Sequence, residues 1–154
     1  VITITGDNPA TVELGETYID AGATATDLDT VSVTQAPINV DVFVVGSYTV
    51  TYTATDASGN SSTATRIVNV VDTTAPIFSS SATFSAQENQ TSIGTVTATD
   101  LQAVTFTISG NEINITSAGV LSFVNAPDYE TKTSYTATVT ATDADGDTLT
   151  YTLT

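Results

Sequence analysis

Two stretches of the chain, residues 47–60 and residues 134–147, decide the fold. The first reads SYTVTYTATDASGN and the second reads SYTATVTATDADGD. In each, apolar residues alternate with polar ones, mostly threonine, and this period of two is the pattern of a half-buried β-strand. A turn rich in Asp, Gly and Asn follows each strand. Because the two stretches align residue for residue, the sequence predicts two similar all-β units.

The boundary of the predicted units falls in residues 71–76, VDTTAP, a short polar linker that ends in proline. We therefore assign residues 1–72 to a first domain and residues 73–154 to a second. About seven short strands fit into each unit, which favours two tandem Greek-key β-sandwiches of immunoglobulin-like architecture. In the second unit we expect strands at residues 77–85, 94–99, 104–109, 112–115, 120–124, 135–142 and 148–153.

The composition excludes several classes of function. The chain has 154 residues with 17 acidic and two basic side chains, and a formal net charge of −15. Nucleic acids and anionic membranes are therefore not expected partners, since both require Lys and Arg. The absence of Cys and His removes disulfides, thiolate zinc sites and the usual general base. The remaining metal ligands, carboxylates and carbonyls, suit Ca²⁺.

The tripeptide Ala-Thr-Asp occurs four times and ends at Asp27, Asp56, Asp100 and Asp143. In a seven-strand sandwich these residues end the second and sixth strands of each unit. The two strands lie in facing sheets and run in the same direction, so their ends meet at one pole. The first strand starts at that pole, and we therefore expect Asp72 close to Asp100 and Asp143, where the two domains join.

Three converging carboxylates repel one another unless a cation neutralises them. Ca²⁺ requires roughly six to eight oxygen ligands, which linker carbonyls and Asp145 could complete. Taken singly, each Asp is better explained by its preference for turns, but the recurrence at equivalent strand ends favours calcium. Glu88, Asp128 and Glu130 form a second acidic group at the other pole, which resembles half of another metal site.

The second unit resembles a bacterial cadherin-like repeat. Residues 87–89 (QEN) resemble the cadherin Pro-Glu-Asn motif, and residues 128–130 (DYE) resemble Asp-Arg-Glu. Asp100 matches the first Asp of Asp-x-Asp, and Asp143 matches the Asp of the last hairpin. The resemblance implies that these positions bind Ca²⁺ where repeats join. Gln102 replaces the second Asp of Asp-x-Asp and the linker is short, so we expect one or two ions rather than three.

The first unit is similar to immunoglobulin-like repeats of bacterial surface proteins. The matching runs are LGETYIDAGATATD at residues 14–27, GSYTV at 46–50 and DASGN at 56–60. The resemblance implies a location outside the cell or on its surface. It also implies that the partners are neighbouring repeats of the same polypeptide, and that a fragment of this kind is monomeric.

These residues allow three hypotheses of function. The leading hypothesis is a calcium-stiffened spacer or adhesive repeat. The second is a carbohydrate-binding module attached to a secreted polysaccharide-active protein, with a glycan or another cell-surface ligand as partner and Tyr18, Tyr129 and Tyr151 as aromatic platforms. The third is glycoside hydrolysis by Asp128 and Glu130, which we do not expect because two small sandwiches leave little room for a deep pocket.

Overall fold

The alternating segments form β-strands throughout the part of the chain that the structure describes, residues 1–27, 29–36 and 38–154. In those residues this computed structural model contains fourteen strands and no helix, which confirms the all-β class. Accordingly, that part of the chain has no helix with the length and apolar character needed to cross a membrane. The chain divides into two units, Val1–Asp72 and Thr73–Thr154.

The N-terminal unit has a four-stranded sheet in the order β2-β6-β5-β4 and a two-stranded sheet, β1-β3. β2 pairs with β6 in parallel, whereas β5 forms long antiparallel ladders with β4 and β6. Its described residues hold six strands rather than about seven, because residues 42–44, between β4 and β5, form a turn. The strands are β1 (Ile2–Ile4), β2 (Ala10–Glu13), β3 (Ala23–Ala25), β4 (Val31–Gln35), β5 (Gly46–Asp56) and β6 (Ser61–Val71).

The core of the N-terminal unit contains a charged residue. Val50 and Tyr52 of β5 pack with Val68 of β6 to form its buried apolar cluster. Arg66 occupies the same inward-facing beat of β6 as Val68 and Val70 and is only 2% exposed. The period of two that buries the valines therefore also buries the guanidinium.

Arg66 is neutralised by a hydrogen-bonded carboxylate. Its Nη1 lies 3.1 Å from Asp20 Oδ2, and its Nη2 donates to the Gly22 carbonyl oxygen at 3.1 Å. Tyr52 and Tyr18 donate their hydroxyls to Asp20 at 2.5 and 2.7 Å. Burial raises the pKa of Asp20, but the hydrogen bonds from Tyr52 and Tyr18 outweigh it and hold that pKa below its ordinary value. The network joins β6 of one sheet to the segment that leads into β3 of the other.

The C-terminal unit is built from eight strands. One sheet has the order β11-β12-β8, with β7 and β9 paired beside it, and the other has the order β10-β13-β14. The expected strand at residues 94–99 is split into two, because the chain changes partner there: the Val96 amide still donates to the Gly119 carbonyl beside β12, whereas the Thr97 carbonyl accepts from Ser79 beside β7. The strands are β7 (Ile77–Phe78), β8 (Ser92–Thr95), β9 (Ala98–Thr99), β10 (Thr105–Ile108), β11 (Ile113–Ile115), β12 (Val120–Phe123), β13 (Ala137–Thr142) and β14 (Thr148–Leu153).

The first strand of this unit is shorter than expected, and the prediction of one strand over residues 77–85 is wrong. After β7, the Ser79 amide still donates to the Thr97 carbonyl at 2.9 Å. Further on, the Phe84 amide donates to the Thr154 carbonyl and the Thr154 amide donates to the Ala82 carbonyl, both at 3.0 Å. The segment thus crosses from the edge of one sheet to the edge of the other, which satisfies backbone groups on both edges.

The core of the C-terminal unit is a cluster of apolar side chains from both sheets. This confirms a sandwich, since each sheet contributes its inward-facing alternate residues. Two strands of this unit end directly before aspartates: β9 ends at Thr99, before Asp100, and β13 ends at Thr142, before Asp143. The buried members are Val96, Phe106, Ile113, Leu121, Phe123, Val139, Ala141 and Leu153.

Candidate metal centre

Three carboxylates gather at the pole where the C-terminal unit begins. Asp100 directly follows β9, Asp143 directly follows β13, and Asp72 directly precedes Thr73. One carboxylate oxygen from each lies within 4.8 Å of the other two. Asp72 and Asp143 are only 8% and 6% exposed, and Asp100 is half-buried. The structure therefore brings together the three residues that strand direction predicted to converge.

The Asp143 carboxylate uses one oxygen to shape its own turn. Its Oδ1 accepts three backbone hydrogen bonds, from Asp145 at 3.0 Å, Gly146 at 2.8 Å and Asp147 at 2.9 Å. Its Oδ2 is buried and accepts no hydrogen bond from any of the described residues. A buried charged oxygen without a donor costs free energy, so this atom is suited to a positive ligand.

The group has the dimensions of a calcium site. Two oxygens on opposite sides of a bound Ca²⁺, each about 2.4 Å from it, are about 4.8 Å apart, and the three oxygens lie within 4.8 Å of one another. Without a cation, two unit charges at this separation repel by about 1 kcal/mol in water and about 3.5 kcal/mol at an effective dielectric constant of about 20. The donor set therefore fits a hard divalent cation.

Asp145 lies in the same turn but is engaged differently. Its side chain is exposed, and its Oδ2 accepts a hydrogen bond from Gln102 Nε2 at 2.6 Å. The backbone amide of Gln102 donates to Asp100 Oδ1 at 2.9 Å. Gln102, the residue that departs from the cadherin Asp-x-Asp motif, thus links the turns after β9 and β13. The role of Asp145 as a ligand stays a prediction.

The second acidic group also forms as a cluster. Carboxylate oxygens of Glu88, Asp128 and Glu130 lie within 4.8 Å of one another, and all three residues are exposed. The Tyr129 amide donates to Glu88 Oε2 at 3.2 Å, and the Thr131 hydroxyl donates to Asp128 Oδ2 at 2.9 Å. The Thr131 hydrogen bond is the main cause that lowers the pKa of Asp128 below its ordinary value. These contacts hold the cluster together without a cation.

Asp27 and Asp56, the equivalent pair of the N-terminal unit, line one shallow cavity of about 130 Å³. No third acidic side chain joins them in a cluster within the described ranges of the chain. Asp56 Oδ2 accepts a hydrogen bond from Asn60 Nδ2 at 2.8 Å, and this bond is the main cause that lowers the pKa of Asp56. Metal binding by this pair stays a prediction.

The three tyrosines named as sugar platforms have different surroundings. Tyr18 is half-buried and donates its hydroxyl to Asp20. The ring of Tyr151 packs against that of Phe78, with 4.1 Å between the ring centroids. Tyr129 is 64% exposed and lies on a cavity of about 300 Å³ in the C-terminal unit, near Lys132. Carbohydrate binding stays a prediction, and it now depends on Tyr129 rather than on the other two.

The N-terminal unit matches a known protein family. Residues 2–70 match the family model described as "Bacterial surface protein, Ig-like domain". The expected resemblance of the N-terminal unit to immunoglobulin-like repeats of bacterial surface proteins is confirmed. The match runs from the first residue of β1 to Val70, one residue before β6 ends, and therefore includes Asp27 and Asp56. No curated protein matches the chain.

Solved structures with a similar fold are cadherin ectodomains. The extracellular domain of protocadherin GammaB4 aligns over 94% of this chain and 30% of its own, with 20% identity and a TM-score of 0.52. Drosophila N-cadherin EC1-4 aligns over 95% and 46%, with 17% identity and a TM-score of 0.54. The chain thus spans less than half the length of either structure. At these identities the likeness shows the fold, which is that of consecutive cadherin-like sandwiches.

Proposed function

We propose that this chain is a calcium-binding structural repeat segment of an extracellular bacterial surface protein, which acts as a spacer or adhesive module. The observation that carries the proposal is the buried Asp143 Oδ2, which lacks a donor among the described residues and belongs to a carboxylate in a cluster with Asp72 and Asp100. A protein surface of net charge −15 also favours cations over any anionic partner.

Calcium suits this cluster better than other metals. The chain has no His and no Cys, so a transition-metal site would lack its preferred ligands. Mg²⁺ demands near-ideal octahedral geometry and keeps several waters, whereas Ca²⁺ accepts irregular sets of carboxylate and carbonyl oxygens. A strand-end cluster of three Asp residues supplies part of such a set, and backbone carbonyls near Asp72 would supply more.

The proposed role of the ion is mechanical. Asp100 and Asp143 belong to the turns of the C-terminal unit, and Asp72 belongs to the connecting segment that leads into it. An ion held by all three would fix that segment and restrict bending of the chain at this point. The Ig-like family match and the cadherin-like fold support this role, because the matching family is described as a bacterial surface protein domain and the protocadherin GammaB4 structure is that of an extracellular domain.

The cluster of Glu88, Asp128 and Glu130 is the proposed second calcium site, of lower affinity. All three side chains are exposed, so water and salt screen their mutual repulsion and less free energy is gained when a cation neutralises it. An ion at this cluster would add to the one or two ions expected where the two domains join.

Calcium titration tests the proposal. The melting temperature of the EDTA-treated chain should rise with added Ca²⁺ and rise less with Mg²⁺, because binding to the folded state adds about 2.7 kcal/mol at a concentration 100 times the Kd. Small-angle scattering should report a narrower distribution of shapes with Ca²⁺.

Matched variants assign the effect. Asp143→Asn keeps an Oδ1 acceptor for the turn but replaces the buried Oδ2 with an amide, so it should abolish most of the calcium-dependent shift. Asp128→Asn removes the same charge from the exposed cluster and should keep most of it. Identical melting and scattering of the wild type in EDTA and in Ca²⁺ would overturn the proposal.

A further inference from the structure

The turns after β5 and after β13 share three hydrogen bonds at equivalent positions. In one turn the Asp56 amide donates to the Asn60 carbonyl at 2.9 Å, and in the other the Asp143 amide donates to the Asp147 carbonyl at 3.2 Å. Oδ1 of each aspartate accepts the amides two and four residues further on, at 2.8–3.0 Å. One further amide differs, because Gly146 donates to Asp143 Oδ1 at 2.8 Å whereas Gly59 donates to the Asp56 backbone carbonyl at 3.1 Å. In both turns Oδ1 is nevertheless held by backbone amides.

The two carboxylates also differ at Oδ2, where the residue four positions after each aspartate is the relevant neighbour. Asn60 Nδ2 donates to Asp56 Oδ2 at 2.8 Å. Asp147 stands at the equivalent position, four residues after Asp143. An ionised Asp side chain has no N–H or O–H and can only accept, and Asp143 Oδ2 accepts no hydrogen bond from the described part of the chain. Oδ2 thus accepts a side-chain hydrogen bond in the turn after β5 and has no donor among the described residues in the turn after β13.

We propose that the residue four positions after Asp56 and after Asp143 decides whether each of these two aspartates can bind a divalent cation. Asn60 covers Asp56 Oδ2 with its own amide, so Asp56 is a structural turn residue rather than a ligand. Asp147 leaves Asp143 Oδ2 open and adds a negative charge to the same turn. The inference rests on the proposed calcium function; it removes Asp56 from the expected ligands and keeps Asp143.

Two local effects act in the same direction. An amide donor that points at a carboxylate oxygen satisfies part of its charge, and this hydrogen bond would have to break before a cation could take its place. The second effect is charge, since the turn with Asn60 carries one acidic group fewer at this position than the turn with Asp147. Substitution of Asp147 can separate the two effects, because Asn supplies both changes and Ala supplies only the second.

The test is a calcium titration of the ¹⁵N-labelled chain and of its Asp147→Asn, Asp147→Ala and Asp7→Asn variants. The amide of Gly146 is the local reporter, because it donates to Asp143 Oδ1 at 2.8 Å and is remote in sequence from the exposed acidic cluster. We expect Asp147→Asn to raise the apparent Kd at this turn at least tenfold. Asp147→Ala should raise it less, and Asp7→Asn, an exposed change of the same charge, should leave it within twofold.

The outcomes separate this inference from the proposed function. If the wild-type Gly146 amide does not respond to Ca²⁺, the proposed function fails and the inference fails with it. If the wild type responds and Asp147→Asn binds as tightly as Asp147→Ala, calcium binding stands and the amide explanation is overturned. A calcium-free melting temperature that rises in Asp147→Asn but not in Asp147→Ala would support the inference independently, since only Asn can donate to Asp143 Oδ2.

Discussion

The two units place different chemistry in the middle of similar sandwiches. At the centre of the N-terminal unit lies an ion pair, Arg66 with Asp20, beside a cluster of three fully buried apolar residues. The core of the C-terminal unit is a cluster of eight buried apolar residues. A small apolar core stabilises less, because hydrophobic free energy scales with the area buried. The N-terminal unit therefore combines a smaller apolar cluster with a buried polar network that the C-terminal core does not contain.

This difference indicates that the two units should fail for different reasons. A buried ion pair contributes little net free energy when it is intact, but the loss of one partner leaves an uncompensated charge. An apolar core has no such weakness, yet it loses both transfer free energy and packing when a side chain is shortened. The stability of each unit can be followed separately through the NMR signals or hydrogen exchange of its own strand amides.

The largest expected effect is that of Arg66→Met. Asp20 would stay buried without its cation, so we expect the free energy of unfolding of the N-terminal unit to fall by about 3–5 kcal/mol. Lys132→Met is the matched control, since Lys132 pairs with Glu112 at 2.6 Å but both side chains are more than 40% exposed. Such surface pairs contribute about 0–1 kcal/mol. Equal effects of the two substitutions would remove the contrast between the units.

Next in size is Leu121→Ala in the C-terminal unit. Leu121 is 1% exposed at the centre of the apolar cluster, and a cavity there should lower the free energy of unfolding of this unit by about 2–5 kcal/mol. The neighbouring Val120 points outward and is 48% exposed, so Val120→Ala should change it by no more than about 0.5 kcal/mol. Urea denaturation of the three proteins measures both values, and a large effect of Val120→Ala would contradict the assigned strand register.

The smallest effect concerns acid stability. The folded-state pKa of Asp20 is below its ordinary value, because the hydrogen bonds from Tyr52 and Tyr18 outweigh the effect of burial. Its contribution to stability is therefore present above the unfolded pKa of about 3.9 and is lost as the pH falls through the folded pKa. Melting curves between pH 7 and pH 2 should show this loss in the N-terminal unit.

Two substitutions check that assignment. Asp20→Asn should remove the loss of stability below about pH 4, at the cost of a lower stability at neutral pH where Arg66 is left unpaired. Asp128→Asn should change the acid limb of the C-terminal unit far less, because Asp128 is exposed and solvent screens its interactions. An unchanged acid limb in Asp20→Asn would show that another carboxylate controls it.

Sequence pattern was sufficient for most of the strands but not for the polar centre of the first unit. The alternation around residues 47–60 and 134–147 locates β5 and β13 because each side-chain direction depends only on local pleating. The same alternation places Arg66 on the inward beat with Val68 and Val70, a signal that could have revealed the buried guanidinium. Its partner Asp20 lies 46 residues earlier in the chain, and no local pattern identifies a contact over that separation.

The candidate site could be predicted where it depends on strand direction and not where it depends on single donors. The convergence of Asp72, Asp100 and Asp143 follows from where the strands end. The engagement of Asp145 by Gln102 depends on the conformations of two turns, which the sequence does not specify. The difference between Asn60 and Asp147 is visible in the aligned repeats, but its importance appears only when the partners of each carboxylate oxygen are known.

In each unit the segment at the C-terminal end bonds in parallel to a segment near the N-terminal end, and these contacts matter for a module that carries tension. In the N-terminal unit β2 pairs in parallel with β6, the last strand, and in the C-terminal unit Ala82 and Phe84 both bond to Thr154. When force pulls such neighbours in opposite directions, their hydrogen bonds are loaded together and in shear, whereas antiparallel neighbours can be unzipped one bond at a time. Each unit is thus held by parallel bonds between its last segment and a segment near its start, which is β2 in the N-terminal unit and residues 82–84 in the C-terminal unit.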